Sequence, residues 1–396
     1  MAITNKEEGV WSIDQVFAKQ NQGSIWDYSP LRQLWMVGRN TDGGLGQNQN
    51  DDNVTCYSSP VQVPGTTWVA GTSTTNYSTL GLKIDGTLWA WGGNGYGQLG
   101  LNNNTKYSSP VQIAGTTWAN VSSHAGSEAG ILATKTDGTL WAWGYNGQGA
   151  LGQSNKTQYS SPRQIPGTNW STSAESFAIN YYMSMAIKTD GTLWTWGTNG
   201  NGRLGQSNQS NYSSPRQVPG TTWAKVGKIS DGFQAIKTDG TLWTSGSNPF
   251  GELGIGSRTP YSSPKQVPGT TWKTITGAGE GAIAVKTDGT LWSWGRNSQG
   301  QLGHNDSHSP GPESKTAPQQ VGSNTNWDTV GGSKGAISFA TKTDGTLWGW
   351  GNNDEGSLNN NNRTKRSSPT QIPGTTWKSL ERVGCMSESP MLFKEQ

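Results

Sequence analysis

Apolar positions along the chain do not recur at helical spacing. They alternate with polar ones in runs of four to six residues, the period of a strand that buries one face. In "AIKTDGTLWTWG" at 186–197, two such runs flank an Asp-Gly pair. That pair is the strongest local signal for a tight hairpin, because both of its positions tolerate positive φ. Downstream stands a glycine-rich connection such as "GGNGYGQLG" at 92–100. A Pro-bounded run such as "YSSPVQVPG" at 57–65 then reads as a short edge strand, and "TTW" opens a fourth strand.

The unit repeats. The Asp of the hairpin recurs at Asp85, Asp137, Asp190, Asp239, Asp288 and Asp344, at intervals of 52, 53, 49, 49 and 56 residues. A seventh, degenerate copy occupies 34–46, "LWMVGRNTDGGLG", and Trp68, Trp118, Trp170, Trp223, Trp272, Trp327 and Trp377 mark seven units independently. Four short strands per ~50 residues, repeated without a convincing helix between them, predict an all-β, seven-bladed β-propeller over 31–396, preceded by a short N-terminal arm at 1–30. The first unit lacks the "AIKTDG" half of its hairpin, and "MLFK" at 391–394 falls where "AIKT" falls elsewhere. One blade is therefore expected to be shared between the two ends of the chain, which removes free sheet edges.

With few large aliphatic residues, tryptophan has to supply the core. One buried Trp removes roughly 150–250 Å² from water, on the order of 4–6 kcal/mol at about 25 cal/mol per Å². The "LW" tryptophans (Trp35, Trp89, Trp141, Trp194, Trp243, Trp292 and Trp348) and the "TTW" tryptophans are expected to form the blade core. They rank ahead of the second Trp of "LWxWG", which Val37 and Ser245 replace in two units.

Composition narrows the partners. Charged residues are 14% of the chain and net charge is +3, against about 25% charged residues in an ordinary soluble domain. The longest basic run is "RTKR" at 363–366, so no nucleic-acid partner is expected. No stretch of ~18 apolar residues predicts membrane insertion, and the N-terminus lacks the apolar core of a secretory signal. Cys56 and Cys385 are too few for a disulfide framework, though one bridge between them stays open.

The recurring "LWxWGxNxxGQLG…SSPxQV", as in Gly92, Asn94, Gly97, Leu99 and Gly100 or Gly295, Asn297, Gly300, Leu302 and Gly303, resembles the regulator of chromosome condensation repeat. The resemblance implies a seven-bladed propeller. It leaves function open, since that family includes a nucleotide exchange factor, a chromatin binder and secreted bacterial enzyme inhibitors. Departures are the period near 50, the stereotyped "TTW", and "SLNN" in place of "QLG" at 357–360. Residues 1–30 stand outside the repeats. Their "GVWSIDQVFAKQNQGSIWDYS" resembles the N-terminal segment of structural proteins of tailed phages, marine ones especially. Ser12 and Gln15 form a capping box, Trp11 and Val16 stand at staple positions, and Ile13, Val16, Phe17 and Gln20 share one face of a short helix. That helix serves either as a plug on the propeller or as a docking element.

No constellation for catalysis, cofactor or metal is expected. His124, His304 and His308 lie in no nucleophile motif, the glycine-rich segments lack the helix of a phosphate loop, and the Asp-Gly aspartates read as turns. Where the repeats differ is more informative. The interval from the "LW" Trp to the next "TTW" Trp is 29 in five units, but 33 after Trp35 and 35 after Trp292, so loops within 47–57 and 304–318 are extended. The interaction candidates are Trp11, Val16, Phe17 and Trp26 on the arm, Phe177, Tyr181 and Tyr182 before one hairpin, and His304, Asp306 and His308 in a long loop. The expected function is a non-enzymatic component of a tailed-phage virion, made in the host cytoplasm. Its expected partners are other virion proteins and a host-surface polymer or protein. The alternative is a soluble protein-binding propeller of the bacterial-inhibitor kind.

Overall fold

The structure, a computed structural model, describes residues 32–49, 56–74, 78–123, 129–229, 231–306, 314–333, 335–354, 356–358, 362–375, 377, 383–384 and 391–395. Five of the repeats each fold into one four-stranded antiparallel sheet in chain order. In one of them the order is Trp118–Ser123, Gly130–Lys135, Leu140–Gly144, Tyr159–Gln164. Six sheets have four or five strands, and a three-stranded sheet joins Cys56–Gln62, Arg32–Arg39 and Met391–Glu395. The molecule is an all-β propeller. Its helices among the described residues are the 3-10 turns Thr41–Gly43 and Ala174–Ser176. As anticipated from "MLFK", Met391–Glu395 pairs antiparallel with the first described strand, from Arg32↔Glu395 to Met36↔Met391.

The strands that open on the "TTW" tryptophans pack against one another from sheet to sheet and line the centre. Thr72 and Ser123 meet there through their hydroxyls at 2.6 Å. The "YSSP" strands form the outer rim, where proline and exposed cations such as Arg163, Arg216 and Lys265 blunt the free edges.

The hairpin turn differs from the expected two-residue form. Gly138 N–H donates to the Lys135 carbonyl at 3.0 Å and Lys135 N–H to the Thr139 carbonyl at 3.0 Å. Of the Asp-Gly pair only the glycine has positive φ, 76°. The aspartate has a second task, because its Oδ1 accepts from both the N–H and the hydroxyl of Thr139.

Tryptophan packing requires a correction. The "TTW" tryptophans are buried, from 0% exposure at Trp68 to 9% at Trp377, and the second tryptophans Trp91, Trp143, Trp196, Trp294 and Trp350 are all at 0%. The "LW" tryptophans Trp35, Trp89, Trp141, Trp194, Trp243, Trp292 and Trp348 are only partly buried and pack against the edges of the core clusters. The reason lies at the polar end of the hairpin. Trp141 Nε1 donates to Thr139 Oγ1 at 2.8 Å, and Lys135 Nζ sits 4.3 Å from the Trp141 ring and 4.8 Å from the Trp118 ring. A lysine ammonium held between two indoles needs water on its open side, so the outer indole stays half exposed. Five other repeats carry the same arrangement, around Lys83, Lys188, Lys237, Lys286 and Lys342. This explains why "KTDGTLW" is copied as a block.

The second tryptophan ties neighbouring sheets together. Its Nε1 donates to a main-chain carbonyl in the glycine-rich loop of the preceding repeat, as from Trp143 to Gln98 and from Trp294 to Glu252. A Cβ on Gly100, whose φ is 70°, would lie 2.9 Å from Trp143 Nε1, so glycine is required there. In the repeat where Ser245 stands for this tryptophan, its cross-strand partner Phe233 is fully buried and fills the space against Gly205.

Candidate functional site

The strands give the ring two unlike ends. At one end lie the Lys-x-Asp-Gly turns, nearly identical in six repeats. Their aspartates are held below the ordinary carboxylate range by the threonine hydrogen bonds, with the nearby lysine as a smaller cause. At the other end lie the glycine-rich loops. A constant asparagine braces each, as Asn94 does by accepting from Leu99 N–H and donating to the Asn103 and Thr105 carbonyls. Between these braces the residues differ from repeat to repeat, and the differing residues meet.

Four half-buried tyrosines from three consecutive repeats form a chain of ring contacts. Tyr96 meets Tyr145 edge-on at 5.3 Å, Tyr145 lies parallel to Tyr181 at 6.0 Å, and Tyr181 meets Tyr182 edge-on at 4.8 Å. The Arg203 guanidinium lies 4.1 Å from the Tyr182 ring, is 5% exposed, and pairs with Asp231 of the next repeat. Asn201 donates to the other Asp231 oxygen at 2.8 Å. One repeat further on, Arg296 lies over Phe250 and pairs with Glu280 at 2.7 Å.

Between these two arginine clusters lies Glu252, 4% exposed, with Oε2 accepting from Phe250 N–H. Burial pushes its carboxyl up to about 7, and the nearby Glu280 and Asp231 charges add to the effect. Between the ordinary value of 4.5 and about 7 the unfolded chain ionises while folded Glu252 keeps its proton, so stability falls as pH rises through this window. Glu252→Gln is expected to flatten that fall and to stabilise the protein at pH 8 by on the order of 3 kcal/mol. The hairpin aspartates act in a separate, more acidic window. Chemical denaturation at pH 5, 6, 7 and 8 reads this out, and parallel curves for the two proteins would refute it.

Of the candidates named from sequence, Tyr181 and Tyr182 lie in this array. Phe177 does not. It is 3% exposed and packs in the core with Trp170 and Trp196, because the short strand Phe177–Ile179 turns its apolar residues between sheets. His304 and Asp306 serve their own loop. With its proton on the Leu302 carbonyl, Ser293 Oγ accepts from His304 Nε2 at 2.9 Å, while Asp306 pairs with Lys315 and Asn297. Burial lowers the His304 pKa. His308, Trp11, Val16, Phe17 and Trp26 lie outside the described residues. Among the described residues no three His, Cys, Asp or Glu side chains are placed to hold a metal ion.

Sequence reasoning missed Tyr96, Tyr145, Arg203 and Glu252. The signal was available, because aligning the "NxxG" segments sets Tyr96 against Gln148, Asn201, Phe250 and Gln299. It also missed Glu175 at the centre, which pairs with Lys225 and accepts from Thr274 Oγ1 at 2.8 Å, joining three repeats. The interval from Trp170 to Lys188, 18 residues against 14 in each of the next two repeats, marked that place.

Comparison with known proteins agrees with the fold. The regulator of chromosome condensation (RCC1) repeat matches residues 85–127, 137–187, 190–232, 288–331 and 344–385, and a second form of the repeat matches 69–98. Human HERC4, a probable E3 ubiquitin-protein ligase, is 26% identical over 147 residues, 37% of this chain and 14% of that protein. The ultraviolet-B receptor UVR8 of Arabidopsis thaliana is 26% identical over 202 residues, 51% of this chain and 45% of UVR8. The chain thus spans less than half the length of either relative. Yeast RCC1 (Prp20), solved bound to Kap60, superposes with a TM-score of 0.75 over 96% of this chain and 92% of that one, at 17% identity. With RCC1 repeats matched over more than half its length and the same propeller fold, the chain belongs to the regulator of chromosome condensation (RCC1) repeat family.

Proposed function

We propose that this protein is a non-enzymatic recognition propeller of seven blades, with the three-stranded sheet at the seventh position. It binds a protein partner through the end that carries the tyrosine array. The observation that carries this reading is the contrast between the two ends. Six repeats share one polar turn, whereas Tyr96, Tyr145, Tyr182 and Arg203 gather where the repeats diverge. Aromatic and arginine anchors with little lysine among them are the composition of an interface centre. The pairing of Arg32 with Glu395 falls where other sheets have their Asp-Gly turn, so Arg32 lies at the end of the ring opposite the array. Prp20, of the same fold, was solved bound to a protein.

Within this class we read the chain as a virion component of a tailed phage, held by residues 1–30 and displaying the array toward another subunit or a host-surface protein. The resemblance of the arm to phage structural proteins supports this. Mass analysis of purified particles tests it, with the chain expected among the virion proteins. A form lacking residues 1–30 is expected to fold and melt normally while failing to incorporate. A chain found only in the lysate, never in particles, would sink the virion reading. A one-to-one complex with a cellular enzyme would instead favour the inhibitor-like alternative.

A further inference from the structure

Arg203 and Glu252 hold the same place in successive repeats, fifth in the glycine-rich segments that start at Asn199 and Asn248. The other repeats put Gly44, Gln98, Ala150, Gln301 and Ser357 there. Where the residue is glutamine it is buried, and its Oε1 accepts from the main chain two residues back, Gln98 from Tyr96 N–H and Gln301 from Gln299 N–H, both at 2.8 Å. Glu252 copies this bond with Phe250 N–H at 2.9 Å, and its carbonyl receives the Trp294 indole as those of Gln98 and Gln301 receive Trp143 and Trp350. The place is built for a neutral amide. A carboxyl fills it without a buried charge only while it keeps its proton, and burial holds that proton up to about 7. The charged groups that face Glu252 come from two neighbouring strand connections. Asp231 stands between Trp223–Ile229 and Gly232–Lys237, and Glu280 between Trp272–Ala278 and Gly281–Lys286. Each already has a guanidinium, Arg203 for Asp231 and Arg296 for Glu280. With Glu252 neutral, two carboxylates stand against two guanidiniums. Loss of its proton makes three against two, with the surplus charge on a residue only 4% exposed, and an unmatched buried charge forces a rearrangement.

The two arginines are not equally free to answer that charge. Arg203 is 5% exposed, lies against Tyr182, and pairs with an Asp231 that Asn201 also holds. Arg296 is 33% exposed, its partner Glu280 is 43% exposed, and its Nε has no partner among the described residues. Its guanidinium lies 4.6 Å from the ring of Phe250, the residue whose N–H Glu252 accepts. We infer that Glu252 and Arg296 form a proton-operated switch at this end of the ring: with the proton in place Arg296 stays paired with Glu280 across the Phe250 ring, and on its loss Arg296 turns in to Glu252 and uncovers Phe250. The step gives one proton to water, breaks one ion pair and forms another. Its effect is to move the surplus negative charge from buried Glu252 to Glu280, which water reaches. The pair that is broken is partly exposed and costs little to lose, whereas the pair that is formed answers a charge that water does not reach. Resting on the reading above that this end meets a protein partner, the switch makes that contact depend on pH. Phe250, aligned with Tyr96, is then offered as an apolar contact only above the transition.

The full-length chain labelled with 15N-arginine tests the switch without a partner. The Arg296 Nε–H resonance, assigned by its loss in Arg296→Lys, is expected to move between pH 5.5 and pH 8.5 with one midpoint at about 7. Glu252→Gln installs the residue that Gln98 and Gln301 already place in the same setting, so it keeps the fold, and it is expected to hold the Arg296 resonance at its low-pH position throughout. Glu280→Gln removes the competing carboxylate and is expected to make Glu252 release its proton at least tenfold more readily, at a midpoint one pH unit lower or more. Crystals of the parent grown at pH 5.5 and pH 8.5 are expected to show Arg296 on Glu280 in the first and on Glu252 in the second. A resonance that does not move overturns the inference, and so does a midpoint unchanged in Glu280→Gln. Movement that persists in Glu252→Gln would belong to a histidine and would overturn it equally. Any of these failures leaves the protein-binding reading standing. That reading falls instead if a protein partner of the parent chain binds undiminished to Tyr145→Ser/Tyr181→Ser.

Discussion

Trp143→Ala is expected to destabilise the propeller by about 3–5 kcal/mol, the cost of emptying a buried aromatic site, whereas Trp141→Ala two residues earlier is expected to cost about 1–2 kcal/mol. The two side chains have the same size and sit on the same strand, so composition alone makes them equivalent. Trp143 has no exposed surface, packs against Trp118 at 5.9 Å, and donates to the Gln98 carbonyl at 3.0 Å. Its loss leaves a cavity between two sheets and a carbonyl that water reaches poorly. Trp141 is half open, and its loss removes one indole from a lysine that retains Trp118. Urea titration of the two variants gives the order directly. Equal midpoints, or a larger loss at Trp141, would show that the hairpin network rather than the tie between sheets holds the ring together.

Much of the fold was legible because the repeat multiplies a weak signal. A single Asp-Gly flanked by alternating residues predicts one hairpin, while six in register, with "TTW" at constant spacing, predict a ring of sheets. The shared sheet was legible for the same reason, since the half-hairpin missing before Leu34 had only one counterpart, at 391–394. The rank of the tryptophans was not. Recurrence alone ranks Trp141 above Trp143, whose position reads Ser245 in another repeat, but constancy of a residue is not a measure of its burial. The structure shows two different reasons for recurrence. The "LW" indole recurs because the lysine-threonine-aspartate network needs it, and the buried position can change when Phe233 opposite compensates. The site was half legible. Tyr181 and Tyr182 stood out as aromatic residues in polar text, but Tyr96 and Tyr145 lie within the glycine-rich segments that looked most repetitive. What joins them is the stacking of consecutive sheets, which brings Tyr96 to 5.3 Å from Tyr145, 49 residues on, and Tyr145 to 6.0 Å from Tyr181, 36 residues on, and no local pattern encodes that.

Removing residues 391–396 is expected to be the most damaging small truncation of the chain. Five residue pairs tie Met391–Glu395 to Arg32–Met36, and at about 1 kcal/mol net for each hydrogen bond the loss approaches 5 kcal/mol before any packing is counted. Packing adds to it, since Leu34 and Met36 are fully buried in a cluster with Trp68, Trp91 and Trp377. That cluster joins the three-stranded sheet to its neighbours on both sides, so the damage spreads to two boundaries of the ring. The exposed edge at 32–36 is also a template for pairing with a second molecule. The truncated chain is therefore expected to melt at least 10 °C lower and to self-associate as its concentration rises. Adding the hexapeptide "MLFKEQ" in excess is expected to restore part of the melting temperature and to suppress the association, because it fills the vacant strand position by the same pairing. A hexapeptide with its residues in reverse order, which places the apolar side chains out of register, serves as the control. A truncated chain that melts with the parent and remains monomeric would mean that the ring holds without this strand, and the shared sheet would then be an ornament of the fold rather than its closure.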